Sequence, residues 1–291
     1  MLAERRIDRG IRGLTAGVLL LVGFESSNTQ PVIPTETTSL PAASQTVEFV
    51  NPEIKAIFDE VYNKHGVKLS TQAERDNPNI YQETQIIATT IDKIPAVGYL
   101  INGGIGIHKD RLFYGRGRFG AIPFYDKDWG GFNLIIGYDF DPDSKEGAQN
   151  QIGRETHKEL VEWIIVHEAG HLFTNRIQYD PSLFSVNHPV HKTFAQLIGY
   201  EVRMMSFKRT ETESENLPVW SMVSPARPFV RTGHVGNIEE TFADYFAASI
   251  LYPQILSDKE RRYFDIILTG LRNNPKSFTE EIRSDPQFLL Q

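Results

Sequence analysis

The residues that could do chemistry cluster in one short run, His167-Glu168-Ala169-Gly170-His171. Side chains four apart on a helix are stacked neighbours, so both imidazoles reach a single ion, at about 2.0 to 2.1 Å for zinc. The carboxylate of Glu168 then stands beside that ion. There it can take a proton from a water that the ion has already acidified. The chain has no cysteine, so any metal must rest on His, Glu or Asp. A match of five residues also arises by chance. Here, however, the apolar run Trp163-Ile164-Ile165-Val166 leads into it, and burying two imidazoles and a carboxylate without partners costs on the order of several kcal/mol. A Zn2+ site on His167 and His171, with Glu168 as general base, is therefore expected.

A catalytic zinc needs a third protein ligand and an open fourth position. The extended H-E-x-x-H-x-x-G-x-x-H arrangement is excluded, because Thr174 stands at the Gly position and Ile177 at the last His position. The ligand is sought instead in Glu239-Glu240-Thr241-Phe242-Ala243-Asp244, which opens a helix with a core face of Phe242, Ala243, Phe246, Ala247 and Ile250. Glu240 and Asp244 are one turn apart, so Glu240 can ligate while Asp244 accepts a hydrogen bond from the non-metal nitrogen of a ligating histidine and fixes its tautomer. Glu239 is the rival. It reads otherwise as an exposed carboxylate favoured in a first turn by the helix dipole, and only Glu240 has a second acid one turn on. Glu201, expected on the preceding helix, is a weaker candidate. His188 and His191 flank a proline at a helix start and are read as solvated surface residues, as are His65, His108 and His157.

The pair of motifs, H-E-x-x-H and a later helix reading E-x-F-A-D, resembles the gluzincin metallopeptidases, especially the lethal-factor-like and Pro-Pro endopeptidase group. His167, Glu168 and His171 match strictly, and Glu240, Phe242, Ala243 and Asp244 match the shorter second motif, over roughly the second half of the chain. The resemblance implies a zincin fold and hydrolysis of peptide bonds outside the cytoplasm. It also implies a tyrosine about two helical turns before the ligand Glu, stabilising the oxyanion. Gly233 stands there instead. The adjacent His234 takes that catalytic role, with Tyr200, Arg231 and Tyr245 as rivals.

Around these residues the periodicity predicts the elements that must hold them. Residues 52–66 carry Ile54, Ile57, Phe58 and Val61 at helical spacing, and residues 80–94 read as a second helix ending before Pro95. Short apolar runs at 97–101, 105–108, 121–125 and 132–140 predict strands of one small sheet. Beyond Thr156 the period returns to helical, with Leu160, Trp163, Ile164, His167 and His171 on one core-facing stripe. Three further helices are expected over 190–205, 237–251 and 258–271, followed by a polar tail. The order of elements predicts an α+β, zincin-like fold: a small mixed sheet plus the active-site helix in an N-terminal lobe, about 47–176, and a mainly helical C-terminal lobe, about 177–291.

Before this domain, Arg5, Arg6, Arg9 and Arg12 precede an apolar stretch at 14–24, which reads as a secretory signal over 1–24. That stretch is short of the roughly 20 residues of a membrane span, and no clean cleavage site follows, so an uncleaved anchor is the alternative. Residues 25–46 are rich in Ser, Thr and Pro, the composition of a solvated linker. A net charge of −7 argues against a nucleic-acid partner. The expectation is a zinc endopeptidase acting on peptides or proteins, secreted or anchored with its catalytic domain outside the cytoplasm, and touching membrane only if the N-terminal segment stays uncleaved. The alternative is a secreted, non-catalytic binding domain with a structural zinc. An extended substrate is expected to add to the strand around 133–138 by edge pairing.

Overall fold

The computed structural model describes residues 51–71, 79–109, 120–122, 131–136, 141, 143, 156–177, 188–208, 214–222, 227–230 and 237–291. The expected signal or anchor, the linker, and the candidates Arg231, Gly233 and His234 lie outside them. The described residues belong to one compact unit, Phe49–Gln291. They form a mixed α/β fold, mostly helical, compatible with an α+β architecture.

Helix α1 (Pro52–His65) starts where the Asn51 side chain accepts the Glu53 N–H at 2.8 Å and Pro52 occupies the first turn. It buries Ile54, Phe58 and Val61. A strand of three residues, β1 (Leu69–Thr71), precedes α2 (Ile80–Ile91). The run at 97–101 is not the predicted strand but a single helical turn, α3 (Val97–Leu100), closed by local bonds such as Ile101 N–H to the Val97 carbonyl at 2.7 Å. So short an apolar run has no period by which strand and buried helix can be told apart.

Strands β2 (Gly104–Lys109), β3 (Gly120–Ile122) and β4 (Gly131–Ile136) complete a four-stranded sheet in the order β1-β2-β4-β3. The first three in that order run parallel, and β3 is antiparallel to β4. Asn133 pairs with Gly106 on one side and Ile122 on the other, so β4 is an interior strand. Its backbone groups are already used, which overturns the expectation that a peptide adds there. Among the described residues, the edge strand beside it is β3.

Helix α4 (His157–Ile177) is capped by a reciprocal pair: Thr156 N–H donates to Glu159 Oε2 at 3.0 Å, and Glu159 N–H donates to Thr156 Oγ1 at 3.3 Å. The predicted stripe is an understatement, because every residue from Val161 to Thr174 is buried. A helix buried all round sits inside the protein rather than on it, and α4 packs against α2, α3, β3 and β4 of the first half.

The predicted helix over 190–205 breaks in two. Helix α5 (Pro189–Ile198) stops at Gly199, whose φ of 79° is a left-handed conformation that a side chain would strain. The chain then extends into an antiparallel ribbon of β5 (Tyr200–Lys208) and β6 (Ser214–Met222), which puts Glu201 on an exposed strand and makes the second half less purely helical than expected. Helix α6 (Ile238–Leu251) and α7 (Asp258–Asn273) match the predicted spans closely. The predicted polar tail instead folds as α8 (Pro275–Ser284), burying Phe278 and Ile282 one turn apart, and a 3-10 turn at Pro286–Leu290. Among the described residues no helix is long and apolar enough to cross a membrane.

The crossing of α4 and α6 positions the site. A methyl group on Gly170 would lie 3.1 Å from Ala243 Cα, so the two backbones meet more closely than a side chain there would ordinarily allow. Phe173 stacks on both Phe242 and Phe246 at about 6 Å between ring centres, fixing the rotation of α6 about the crossing.

Candidate metal centre

At that crossing, His167 and His171 face Glu240. His167 Nε2 lies 3.1 Å from His171 Nε2 and 3.2 Å from Glu240 Oε2, and His171 Nε2 lies 3.5 Å from the same oxygen. A tetrahedral ion with ligand bonds of about 2.0 to 2.1 Å requires ligand atoms about 3.3 Å apart, so the triangle has the right size for one. Among the described residues this is the one group of three metal-binding side chains found. The rings are nearly perpendicular, at 79°, so the two nitrogens converge rather than stack.

Asn237 sets the start of α6 by accepting the backbone N–H of Glu239 at 3.0 Å and, less closely, that of Glu240. Glu240 thereby falls in the first turn, its side chain one-third exposed, opposite the buried imidazoles. One turn on, Asp244 is fully buried, and its Oδ1 lies 3.0 Å from His167 Nδ1 and 3.1 Å from Trp163 Nε1. His167 Nδ1–H donates to that carboxylate and leaves Nε2 turned toward Glu240 and His171.

The electrostatics follow from this packing. Burial alone would lower the His167 pKa. The hydrogen bonds to Asp244 and Glu240, with the charges of Asp244 and Glu168, overcome it and raise the value to about 9. Burial likewise opposes ionisation of Glu240, yet the bonds from His167 and His171 hold its carboxyl well below the usual carboxylate range. Without metal, this pocket keeps an extra proton. A slot negative enough to retain a proton at a buried imidazole attracts a divalent cation by the same field.

Glu168 is buried beside His167 and contributes to that field. Glu239 is half-buried rather than exposed. Burial raises its pKa, the His171 charge acts the other way, and the neighbouring Glu240 raises it further. The structure brings together His167, His171 and Glu240 and puts Asp244 behind His167; Glu239 and Glu201 are not in the group. Of the rival oxyanion donors, the Tyr200 hydroxyl is bonded to Thr241 Oγ1 at 3.0 Å and the Tyr245 hydroxyl donates to Glu260 at 3.2 Å, both buried.

His188 and His191 are not solvated. Both are buried, with ring centres 4.3 Å apart, because Pro189 starts α5 there and His191 packs toward Phe242. His188 Nε2–H donates to the Thr174 carbonyl at 3.0 Å. His157 is buried too and its Nδ1 accepts the Asp141 N–H at 3.3 Å. His65 is partly buried against Asp92. Two features of the site went unread in the sequence. Thr156-x-x-Glu159 was legible as a helix start; the bond from Trp163 to Asp244 was not, since nothing in a sequence ties an indole to an acid 81 residues away.

Comparison of the chain with protein-family models, with curated proteins and with solved structures finds no match.

Proposed function

We propose that the chain is a zinc-dependent endopeptidase of the zincin type, acting on peptides or proteins outside the cytoplasm. The observation that carries the reading is the convergence of His167, His171 and Glu240, from two helices, on a triangle of zinc-ligand size, with Asp244 behind His167. Zinc held there would polarise a peptide carbonyl and acidify a water. Glu168 is the proton carrier, receiving the water's proton and returning it to the leaving nitrogen. Asp244 holds His167 in the tautomer whose Nε2 is free to ligate.

An extended substrate fits better along β3 than β4, because among the described residues β3 is the edge strand and α4 packs against it. With the Tyr200 and Tyr245 hydroxyls engaged elsewhere, the oxyanion donor proposed is His234, which is adjacent to the position where the resembling family has its tyrosine and this chain has Gly233. The other reading, a binding domain with a structural zinc, requires a closed coordination sphere. Among the described residues no fourth His, Asp or Glu joins the three, and a structural site has no use for a carboxylate such as Glu168 beside it.

The test is a peptide library offered to the wild type and to Glu168→Gln, with zinc measured in both. We expect equal zinc and a fall in hydrolysis of at least ~10²-fold, the usual worth of a general base. Zinc bound stoichiometrically by a wild type that cleaves nothing would favour the structural-zinc reading.

A further inference from the structure

Trp163 sits one helical turn before His167 on α4, so both side chains project toward the same part of α6. What they meet there is a single oxygen. Asp244 Oδ1 lies 3.1 Å from the indole Nε1 and 3.0 Å from His167 Nδ1. Asp244 is wholly buried, and a buried carboxylate must be met by N–H donors to stay ionised. An indole N–H can only donate. It therefore stabilises the ionised carboxylate at Oδ1, and an ionised carboxylate can only accept, so the group facing it at His167 is Nδ1–H.

We propose that Trp163 is a positioning residue of the metal centre: by donating to Asp244 Oδ1 it fixes His167 as the Nδ1–H tautomer, the one that leaves Nε2 open to a metal ion. The inference rests on the zinc-site reading above and deepens it. The indole is itself held. It is fully buried, stacked on Tyr252 with ring centres 6.2 Å apart and planes at 25°, and flanked by Phe229 at 6.5 Å. Tyr252 is the residue that ends α6, so the ring contacts that helix at its middle through Asp244 and at its end through Tyr252. The N–H direction is thus set by the α4–α6 crossing and not by a mobile rotamer. A tryptophan that merely filled the core would need the ring and not the nitrogen.

That difference is the test. Replacing Trp163 in the full-length chain by 3-benzothienylalanine keeps the ring shape and exchanges the N–H for sulfur. We expect zinc affinity, read by chelator competition, to fall about 10-fold or more, within the range for a lost partner of a ligating histidine. The melting temperature of the zinc-free protein should fall by only a few degrees, the cost of one lost hydrogen bond to a buried carboxylate, with the fold retained. A second arm uses encoded residues: Trp163→Phe, Asp244→Asn and the double variant. If Trp163 works through Asp244, the double variant binds zinc no more weakly than Asp244→Asn alone; independent packing effects would instead multiply. Zinc affinity unchanged in the benzothienyl chain, or multiplied losses in the double variant, overturns the role of Trp163 while leaving the zinc site standing. A wild type that binds no zinc overturns both.

Discussion

Among the described residues two pairs of histidines are buried together, and one member of each, His167 and His188, is shifted in opposite directions. His167 and His171 sit four residues apart on α4, with ring centres 4.8 Å apart; His188 and His191 sit three apart at the start of α5, with ring centres 4.3 Å apart. Burial works against the charged form at His167 and at His188 alike. At His167 two hydrogen-bonded carboxylates reverse that and raise the pKa to about 9. At His188 burial dominates and the Thr174 carbonyl only partly opposes it, leaving the pKa at about 4. Two buried imidazoles do not make a cation site. What distinguishes the candidate site is the pair of acids facing it, Glu240 and Asp244, which come from a different helix.

The sharpest way to break the contrast is to remove the acid. Glu240→Gln should lower zinc affinity by more than the roughly 10- to 100-fold expected for an outer partner, since a neutral amide is a poor donor to a divalent ion. In the zinc-free variant His167 should titrate below its wild-type value, measured by NMR, with Asp244 still holding it above the range of His188. Glu239→Gln should change zinc binding little. A chelator titration in which Glu239→Gln loses zinc more readily than Glu240→Gln would move the ligand by one residue and leave Asp244 without its proposed role.

The second pair should declare itself in acid. His188 has a folded pKa near 4 against an ordinary value near 6.5, so the unfolded chain binds the extra proton first. Its contribution is fully present above pH ~6.5 and is lost as the pH falls toward 4, amounting to about 3 kcal/mol at full extent. Thermal melts at pH 7 and pH 4.5 should therefore show a smaller acid loss in His188→Gln than in the wild type. An equal loss in both would assign the acid sensitivity to other groups.

The smallest effect concerns the crossing that separates the two environments. In Gly170→Ala the new methyl group meets Ala243 Cα at 3.1 Å. The expected penalty is about 1 to 3 kcal/mol of overpacking, offset by roughly 0.5 to 1 kcal/mol because alanine suits a helix better than glycine. Chemical denaturation measures the net change. A variant at least as stable as wild type, with unchanged zinc affinity, would show that the helices can separate without disturbing Glu240.

The sequence was most legible where local rules suffice. The helices α1, α2, α6 and α7 follow from apolar spacing, and the central part of α4 from the same signal around His167 and His171. The strands β2 and β4 stood out as apolar runs between glycines. What escaped was decided by tertiary contact. Residues 97–101 have strand composition but close into a turn. The expected helix through Met205 ends at Gly199 because the ribbon takes the chain over. The burial of His188 and His191 depends on α5 folding under Thr174 and Phe242, which no spacing in α5 reveals. Glu240 was favoured over Glu239 by the acid one turn on. The indole on that acid became visible only with α4 laid across α6.

The two halves of the candidate metal centre are made far apart in time as well as in sequence. His167 and Glu240 are separated by 73 residues, and the Gly170 contact needs Ala243 in place. During synthesis the chain passes through a stage in which His167, Glu168 and His171 exist without Glu240 and Asp244, the acids that complete the proposed site. Closing a loop of that length must precede any reward from the contact. A growing chain is therefore without a complete centre until α6 has been synthesised and docked, and a chain cut short before residue 240 stays in that state.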